Sequence, residues 1–109
     1  MSNQIKKNYL ERYSRQIILK DIGIIGQKKI SLSKILIVGV GGLGCPAADF
    51  LSRAGVGTIG LADFDKVSLS NIHRQIMYDT NDVGKFKVDV LFSKIKKINP
   101  NIKTIKYRL

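Results

Sequence analysis

Hydrophobic and polar positions along the chain follow first a helical and then a strand-like pattern. Residues 9–20, YLERYSRQIILK, place apolar side chains at helical spacing, and a second short helix is predicted at about 27–33. KILIVGV, from Lys34 to Val40, is a nearly continuous β-branched run, which is typical of a strand buried on both faces of a parallel sheet. The pattern therefore predicts one or two helices in front of a buried strand.

The rest of the chain repeats the alternation of helix and strand. CPAADFLSRAG is predicted to be a helix, with Pro46 in its first turn and Gly55 at its end. TIGLAD, Thr58 to Asp63, is the second predicted strand, and a loop with a helical turn near Asn71 follows it. Residues 87–98 place apolar side chains along one stripe of an amphipathic helix, and NPN at 99–101 ends that helix. IKTIKYRL then alternates like a third strand. The fold class is therefore α/β, a Rossmann-like parallel sheet with helical crossovers.

The length of 109 residues predicts a single nucleotide-binding domain. Residues 1–33 would form an N-terminal helical arm, and residues 34–109 a βαβαβ unit, the N-terminal half of a doubly wound domain. In the strand order of such a domain, the strand at 34–40 would lie at an open apolar edge. No apolar run approaches the roughly 18 residues that cross a bilayer, and the polar N-terminus lacks a secretory signal. We therefore expect a cytoplasmic protein.

The charge is strongly basic, with 19 Lys and Arg against 8 Asp and Glu, a net charge of +11. The lysines are scattered along the sequence and are not interleaved with aromatic residues, as a base-stacking platform would require. This pattern favours a solvated surface over a nucleic-acid or membrane partner. A nucleic-acid-binding module stays open as an alternative.

A glycine-rich loop joins the first strand to the next helix. Gly39, Gly41 and Gly44 satisfy G-x-G-x-x-G, a pattern that turns the chain tightly and brings backbone N–H groups to a phosphate. Asp63 ends the second strand 19 positions after Gly44, where an acid can bind a ribose hydroxyl. The loop predicts a nucleotide, but it does not distinguish NAD from ATP.

Polar residues beyond the second strand favour ATP. Asn71, Arg74 and Lys87 supply an amide and two cations downstream of the glycine loop. Such groups suit a triphosphate that is attacked at phosphorus, because that step is catalysed mainly by positioning and charge neutralisation.

Four motifs in this order resemble the N-terminal part of the MoeB/ThiF/HesA adenylyltransferases, relatives of the ubiquitin-activating enzymes. They are RYSRQIIL (12–19), ILIVGVGGLGCPAADFLSRAGVGTIGLADFD (35–65), VSLSNIHRQ (67–75) and VGKFKVD (83–89). The resemblance covers almost the whole chain. It implies an enzyme that binds ATP and magnesium together with the C-terminal glycine of a ubiquitin-fold sulfur-carrier protein, in molybdopterin or thiamine biosynthesis. The carrier carboxylate attacks the α-phosphate, which gives an acyl-adenylate and pyrophosphate.

The resemblance also implies roles for individual residues. Gly42 lies against the nucleotide beside Gly39, Gly41 and Gly44, and Asp63 holds the ribose. Ser70 to Arg74 surround the phosphates, with Asn71 and Arg74 as polar contacts, and Lys87 reaches the phosphates from the next helix. Arg15 reaches the triphosphate of the neighbouring subunit in a homodimer. Arg15, Arg74 and Lys87 are therefore the candidate catalytic residues.

Three further residues have weaker functional interpretations. Asp65 could assist metal binding or shape the loop. His73 is interpreted as a surface or packing residue. Cys45 lies near a helix N-terminus, which would favour a thiolate, but a small packing residue is the preferred interpretation. As the only cysteine, it excludes a disulfide within the chain and a CxxC metal site.

The resemblance places the magnesium-binding aspartate of the family after the next strand, beyond Leu109. We therefore expect a truncated, nucleotide-binding half that is inactive alone, and, apart from the weaker candidate Asp65, no metal ligand within the chain. The alternative that the glycine loop leaves open is an NAD- or FAD-binding half of an oxidoreductase.

Overall fold

A computed structural model describes the backbone of residues 3–109, with side chains from Lys7 onwards. Within that range, five helices and three strands follow one another along the chain. The helices are α1 (Asn3–Arg12), α2 (Ser14–Ile17), α3 (Gly23–Leu32), α4 (Gly44–Ala54) and α5 (Lys87–Ile98), and the strands are β1 (Lys34–Val38), β2 (Thr58–Ala62) and β3 (Lys103–Tyr107). Short 3₁₀ turns at Leu69–Asn71 and Thr80–Asp82 lie in the long loop between β2 and α5.

The strands form one parallel sheet in the order β1-β2-β3. Lys34 pairs with Thr58 at one end of the β1–β2 ladder, and Thr58 pairs in turn with Lys103. The crossover helices α4 and α5 contact each other and pack on the sheet. The α/β architecture with helical crossovers is thus confirmed, and β1 lies at an edge. The predicted division at residue 33 stays a prediction, and its first two residues lie outside the described range.

The core lies between the sheet and the pair α4–α5. Ile59, Leu61, Leu91 and Ile95 are completely buried there. Their burial fits the alternation of strand side chains, because the outward positions Leu36 and Val38 on β1 stay exposed. The sheet therefore has one packed face and one open apolar face. Among the described residues, no helix is both long and apolar enough to cross a membrane.

The prediction of one helix over residues 9–20 is wrong, because the helix is interrupted at Tyr13. Tyr13 is 4% exposed, and its hydroxyl accepts a hydrogen bond of 2.8 Å from the Asn99 side chain. Its ring lies against Gly55, the left-handed residue (φ 95°) that ends α4. Burying the ring turns the chain, so that α1 and α2 are separate helices. The short helix that follows begins at Gly23 rather than at residue 27.

Two glutamines attach the N-terminal arm to the C-terminal end of α4. The amide nitrogens of Gln16 and Gln27 each donate to the Ala54 carbonyl oxygen at 3.0 Å. Arg12 donates to the Ile98 carbonyl oxygen, also at 3.0 Å. The RYSRQ motif therefore has a structural role, since Arg12, Tyr13 and Gln16 join the arm to the ends of α4 and α5.

Candidate functional site

The glycine loop leaves β1 through a left-handed residue and enters α4 at a close contact. Gly39 has φ 86°, a conformation that residues with a Cβ atom rarely adopt. Gly44 is buried at the start of α4, and a Cβ atom there would lie 1.9 Å from the Gly39 carbonyl oxygen. The first and last glycines of the motif therefore serve the turn and the packing of the helix against the strand.

Between these two glycines, the loop presents backbone N–H groups to solvent. In the described part of the chain, the N–H groups of Gly41, Gly42 and Leu43 donate to no other residue, whereas the Cys45 N–H bonds the Gly41 carbonyl at 2.9 Å. Leu43 is 90% exposed. Unpaired N–H groups at the N-terminus of a helix carry partial positive charge and attract anions. The loop can therefore receive a phosphate.

Three side chains hold the loop in place at Val40, which is completely buried. The Val40 N–H donates to an Asp63 carboxylate oxygen at 2.9 Å. The Val40 carbonyl oxygen accepts from the Tyr78 hydroxyl at 2.6 Å and from the Cys45 thiol at 3.2 Å. The loop is therefore preorganised at the C-terminal ends of β1 and β2.

The two buried donors stay protonated in this environment. Burial raises the pKa of the Cys45 thiol despite hydrogen bonding to Tyr78. Burial also raises the pKa of Tyr78 well above its ordinary value. Cys45 thus acts as a packing residue, in agreement with the preferred interpretation.

The Asp63 carboxylate accepts hydrogen bonds both from the glycine loop and from the turn that follows β2. Its second oxygen accepts from the Asp65 N–H at 2.7 Å. Each oxygen keeps a free lone pair, so the carboxylate retains capacity for a ribose hydroxyl. Asp65 is exposed, and its carbonyl oxygen accepts from the Lys87 N–H at 3.0 Å, which ties the start of α5 to this turn. The predicted ribose and metal roles of Asp63 and Asp65 stay predictions.

In the loop after β2, Asn71 is the third residue of a capping box. Ser68 occupies the N-cap of the 3₁₀ turn, and the Asn71 side-chain oxygen accepts from the Ser68 N–H at 3.0 Å and from its hydroxyl at 2.9 Å. Ser70 is exposed, with its hydroxyl 3.2 Å from that of Ser68. The local bonds of Asn71 use its oxygen, so its amide N–H₂ is the group that can contact a ligand.

Arg74 and Gln75 lie against the glycine loop from this side. An Arg74 guanidinium nitrogen is 3.2 Å from the position of a Cβ atom on Gly42, and the Gln75 amide nitrogen is 3.5 Å from that on Gly41. Arg74 is exposed and takes part in none of the ion pairs found among the described residues. Gln75 is 2% exposed, and its side-chain oxygen has no hydrogen-bond partner among the residues that the structure describes. A cation and a buried amide thus flank the loop.

Lys87, the first residue of α5, carries a cation on a largely buried side chain. Only 5% of the residue is exposed, and its ammonium group forms no ion pair or hydrogen bond with any residue in the described range. Its charge is close enough to Cys45 to act on that thiol. An ammonium group without a counter-ion, at the end of a largely buried side chain, can pair with an anion.

The remaining candidates lie apart or at the surface. Arg15 is on α2, exposed, and no described hydrogen bond or ion pair joins it to the glycine loop. His73 is exposed, which fits its interpretation as a surface residue. The described residues include no cluster of three or more His, Cys, Asp or Glu side chains that could hold a metal ion. The structure therefore brings together the glycines, Asp63, Arg74 and Lys87.

Sequence reasoning missed two residues of this site, Tyr78 and Gln75. Gln75 stands directly after Arg74 in a motif that was recognised, so its position was a usable signal. Tyr78 lies 38 positions from Val40 in an irregular loop, and no periodicity marks it.

Comparison with known proteins gives a family and a set of relatives. A model described as ThiF family matches residues 13–109. The adenylyltransferase and sulfurtransferase uba4 of Aspergillus niger is 53% identical over 97 residues, which are 89% of this chain and 20% of that protein. The adenylyltransferase and sulfurtransferase MOCS3 of Aedes aegypti is 44% identical over 107 residues, 98% of this chain and 24% of that protein. The chain thus spans between a fifth and a quarter of the length of these relatives.

Solved structures agree with the sequence relatives. The tRNA N6-threonylcarbamoyladenosine dehydratase TcdA of E. coli, in complex with ATP, superposes with a TM-score of 0.88 and 31% identity over 94% of this chain and 41% of that chain. E. coli MccB with ATP superposes with a TM-score of 0.78 and 28% identity over all of this chain and 32% of that chain. Both similar folds were therefore crystallised with the same nucleotide.

Proposed function

Because the chain belongs to the ThiF family, we propose that it is the nucleotide-binding part of an ATP-dependent adenylyltransferase. The substrate is the C-terminal glycine carboxylate of a ubiquitin-fold sulfur-carrier protein. The observation that carries this proposal is the combination of a glycine loop whose N–H groups are free with the Lys87 ammonium, which pairs with no residue in the described range. The loop alone could serve the diphosphate of NAD, whereas Arg74 and Lys87 add two cations that suit a longer phosphate chain.

The reaction is a substitution at the α-phosphorus of ATP. A carboxylate oxygen of the carrier forms a bond to that phosphorus while the bond to the bridging oxygen of the β-phosphate breaks. The products are an acyl-adenylate and pyrophosphate. Negative charge accumulates on the leaving pyrophosphate, so fixed cations and N–H groups around the phosphates lower the barrier.

Each residue of the site then has a role. The N–H groups of Gly41, Gly42 and Leu43 bind phosphate oxygens, and Asp63 binds the ribose. The exposed Arg74 guanidinium and the Lys87 ammonium neutralise the phosphates, with Ser70 and Asn71 as polar contacts. Gly39 and Gly44 maintain the shape of the loop.

Magnesium and the partners belong to the same proposal. Mg²⁺ is usually bound through one or two carboxylates together with the phosphates of the substrate. Asp65 is exposed and its carboxylate bonds no residue in the described range, so it fits as one such ligand beside an aspartate that the family resemblance places after Leu109. Arg15 would contribute to the site of a second subunit in a homodimer.

The choice of nucleotide is tested by thermal unfolding with ATP or NAD. A ligand at 100 times its dissociation constant stabilises the folded state by about 2.7 kcal/mol, which raises Tm by about 10 °C or more for a domain of this size. We expect this shift with ATP and magnesium but not with NAD, and we expect Lys87→Met and Arg74→Gln to reduce it. Lys29→Gln, an exposed lysine on α3, is the control. A shift with NAD as large as that with ATP would contradict the proposal.

The chemical step is tested in a chimera in which residues 13–109 replace the matching segment of the uba4 protein. We expect ATP–pyrophosphate exchange that requires a carrier with a free C-terminal glycine carboxylate, and its loss with Lys87→Met. A folded chimera that binds ATP without exchange, beside an active parent, would argue against the reaction while leaving the nucleotide assignment intact.

A further inference from the structure

We propose that a basic strip along α5 and β3 binds the phosphodiester backbone of nucleic acid. The strip consists of Lys66, Arg108, Lys106 and Lys96 together with the rings of Phe86 and Phe92. It reverses the expectation from sequence, which found no aromatic residues among the lysines. The fold brings the two kinds of side chain together.

The contacts that build the strip are continuous. The Lys66 ammonium lies 5.1 Å and the Arg108 guanidinium 4.5 Å from the centre of the Phe86 ring. The ammonium groups of Lys96 and Lys106 each lie 4.8 Å from the centre of the Phe92 ring. Each ring therefore lies within cation–π distance of two cations.

Asp89 joins the two halves. Its carboxylate accepts from Arg108 at 2.6 Å and pairs with Lys106 at 3.1 Å. The strip thus contains four cations against one carboxylate. The side chains of Lys106 and Arg108 are 41% and 53% exposed, so their free donors face solvent.

The neighbouring surface increases the positive charge. The charged residues that line a depression of about 510 Å³ beside the strip are four lysines and two carboxylates: Lys66, Lys85, Lys94, Lys97, Asp82 and Asp89. Asp82 neutralises Lys94 across 3.0 Å. Lys85 and Lys97 are exposed and belong to no ion pair among the described residues, and they extend the excess of cations.

The strip is separate from the proposed ATP site and from the open edge of the sheet. Neither the glycine loop nor Arg74 and Lys87 line the depression. β3 is the outer strand on the side opposite β1. Additional strands of a doubly wound sheet attach beside β1, so the strip stays accessible when the sheet is extended.

The chemistry favours nucleic acid over an acidic protein. Cation–π contacts fix the long lysine stems, so that less conformational entropy is lost when the cations meet regularly spaced phosphates. Arg108 lies over Phe86 and leaves more than half of its side chain exposed. A guanidinium plane in this position can stack on a base, which a carboxylate-rich peptide would not use.

The test measures binding of a fluorescently labelled mixed-sequence RNA duplex, and of the same duplex in DNA, by anisotropy over a range of salt concentrations. The strip variant is Lys66→Gln with Lys96→Gln, two exposed lysines whose described side-chain contacts are with the rings alone. The matched control is Lys28→Gln with Lys29→Gln on α3, which has the same net charge. Circular dichroism verifies that both variants fold.

We expect salt-dependent binding of the unmodified chain, which the strip variant weakens on the order of tenfold. Each lost phosphate contact lowers the magnitude of the slope of log K against log salt by about 0.9. The slope of the strip variant should therefore be smaller in magnitude by up to about 1.8, while the control keeps the slope of the unmodified chain. Equal losses in both variants would overturn the proposal, because net charge alone would then explain binding. Absence of binding at low salt, or equal competition by polyglutamate of matched charge, would also overturn it.

Discussion

Alanine substitutions at Gly44 and Gly42 should have opposite consequences, although both residues lie in one loop. A Cβ atom on Gly44 would lie 1.9 Å from the Gly39 carbonyl oxygen and 2.9 Å from its carbon. A Cβ atom on Gly42 would meet only the far end of the Arg74 side chain, at 3.2 Å. Gly44 is buried between β1 and α4, and Gly42 is exposed. The first substitution therefore displaces backbone, while the second displaces a flexible side chain.

The expected cost of Gly44→Ala follows from this geometry. Helix propensity by itself would make alanine more stable than glycine by about 1 kcal/mol. Ordinary contact begins near 3.4 Å, so the carbonyl and the helix must separate by about 1.5 Å. Forcing atoms into a packed core usually costs about 1–3 kcal/mol, and here neither partner is a mobile side chain, so we expect a net loss of about 3 kcal/mol or more. The whole domain is stabilised by roughly 5–15 kcal/mol.

Thermal and urea unfolding followed by far-ultraviolet circular dichroism measures the effect. We expect Gly44→Ala to lower Tm by about 12 °C or more, and Gly42→Ala to change the free energy of unfolding by no more than about 0.5 kcal/mol. Gly42→Ala should weaken ATP binding all the same. A Gly44→Ala protein as stable as the unmodified chain would refute the reasoning, as would equal destabilisation by both substitutions.

Four further predictions follow from the same contacts. Lys87→Met should change the free energy of unfolding without nucleotide by no more than about 0.5 kcal/mol, because the ammonium that it removes pairs with no residue in the described range; a larger loss of stability in urea unfolding would contradict this. Asn99→Ala should lower that free energy by about 2 kcal/mol or more, because the buried Tyr13 hydroxyl and Ser52 carbonyl lose a donor, whereas Tyr13→Phe should cost less in the same assay. Burial would raise the pKa of Asp82, but hydrogen bonds from the Asp79 N–H and the Lys94 ammonium outweigh burial and lower that pKa. The stability that the Asp82 carboxylate contributes is complete above its unfolded pKa of about 3.9 and is lost as the pH falls below that value. Asp82→Asn should therefore reduce the loss of stability that the unmodified chain shows at acidic pH. Cys45, buried with a raised pKa, should react with iodoacetamide only as fast as the chain unfolds, and rapid labelling of the folded chain would contradict its packing role.

The sheet and its crossovers were predictable because they depend on local pattern. The β-branched run before Gly39 identifies β1, and the apolar stripe at 87–98 identifies α5 with its observed bounds. The glycine spacing likewise predicted the turn at Gly39 and the close contact at Gly44. In each case, the physical requirement acts on neighbours in sequence, so the sequence itself displays it.

Features that depend on distant residues could not be predicted in this way. The break at Tyr13 depends on Asn99, 86 positions away. The support of the glycine loop depends on Tyr78, and the basic strip depends on a fold that brings Lys66 and Arg108 to the Phe86 ring. Residue spacing gives no information about such pairs until the sheet register is known.

The central claim is that the glycine loop, Arg74 and Lys87 together hold a triphosphate. Calorimetric titration of the chain with ATP, AMP and NAD, each with magnesium, tests it most directly. We expect ATP to bind at least tenfold more tightly than AMP, because the β- and γ-phosphates reach the two cations, and we expect Lys87→Met to remove most of this difference. AMP binding as tight as ATP binding, or NAD binding more tightly than either, would contradict it.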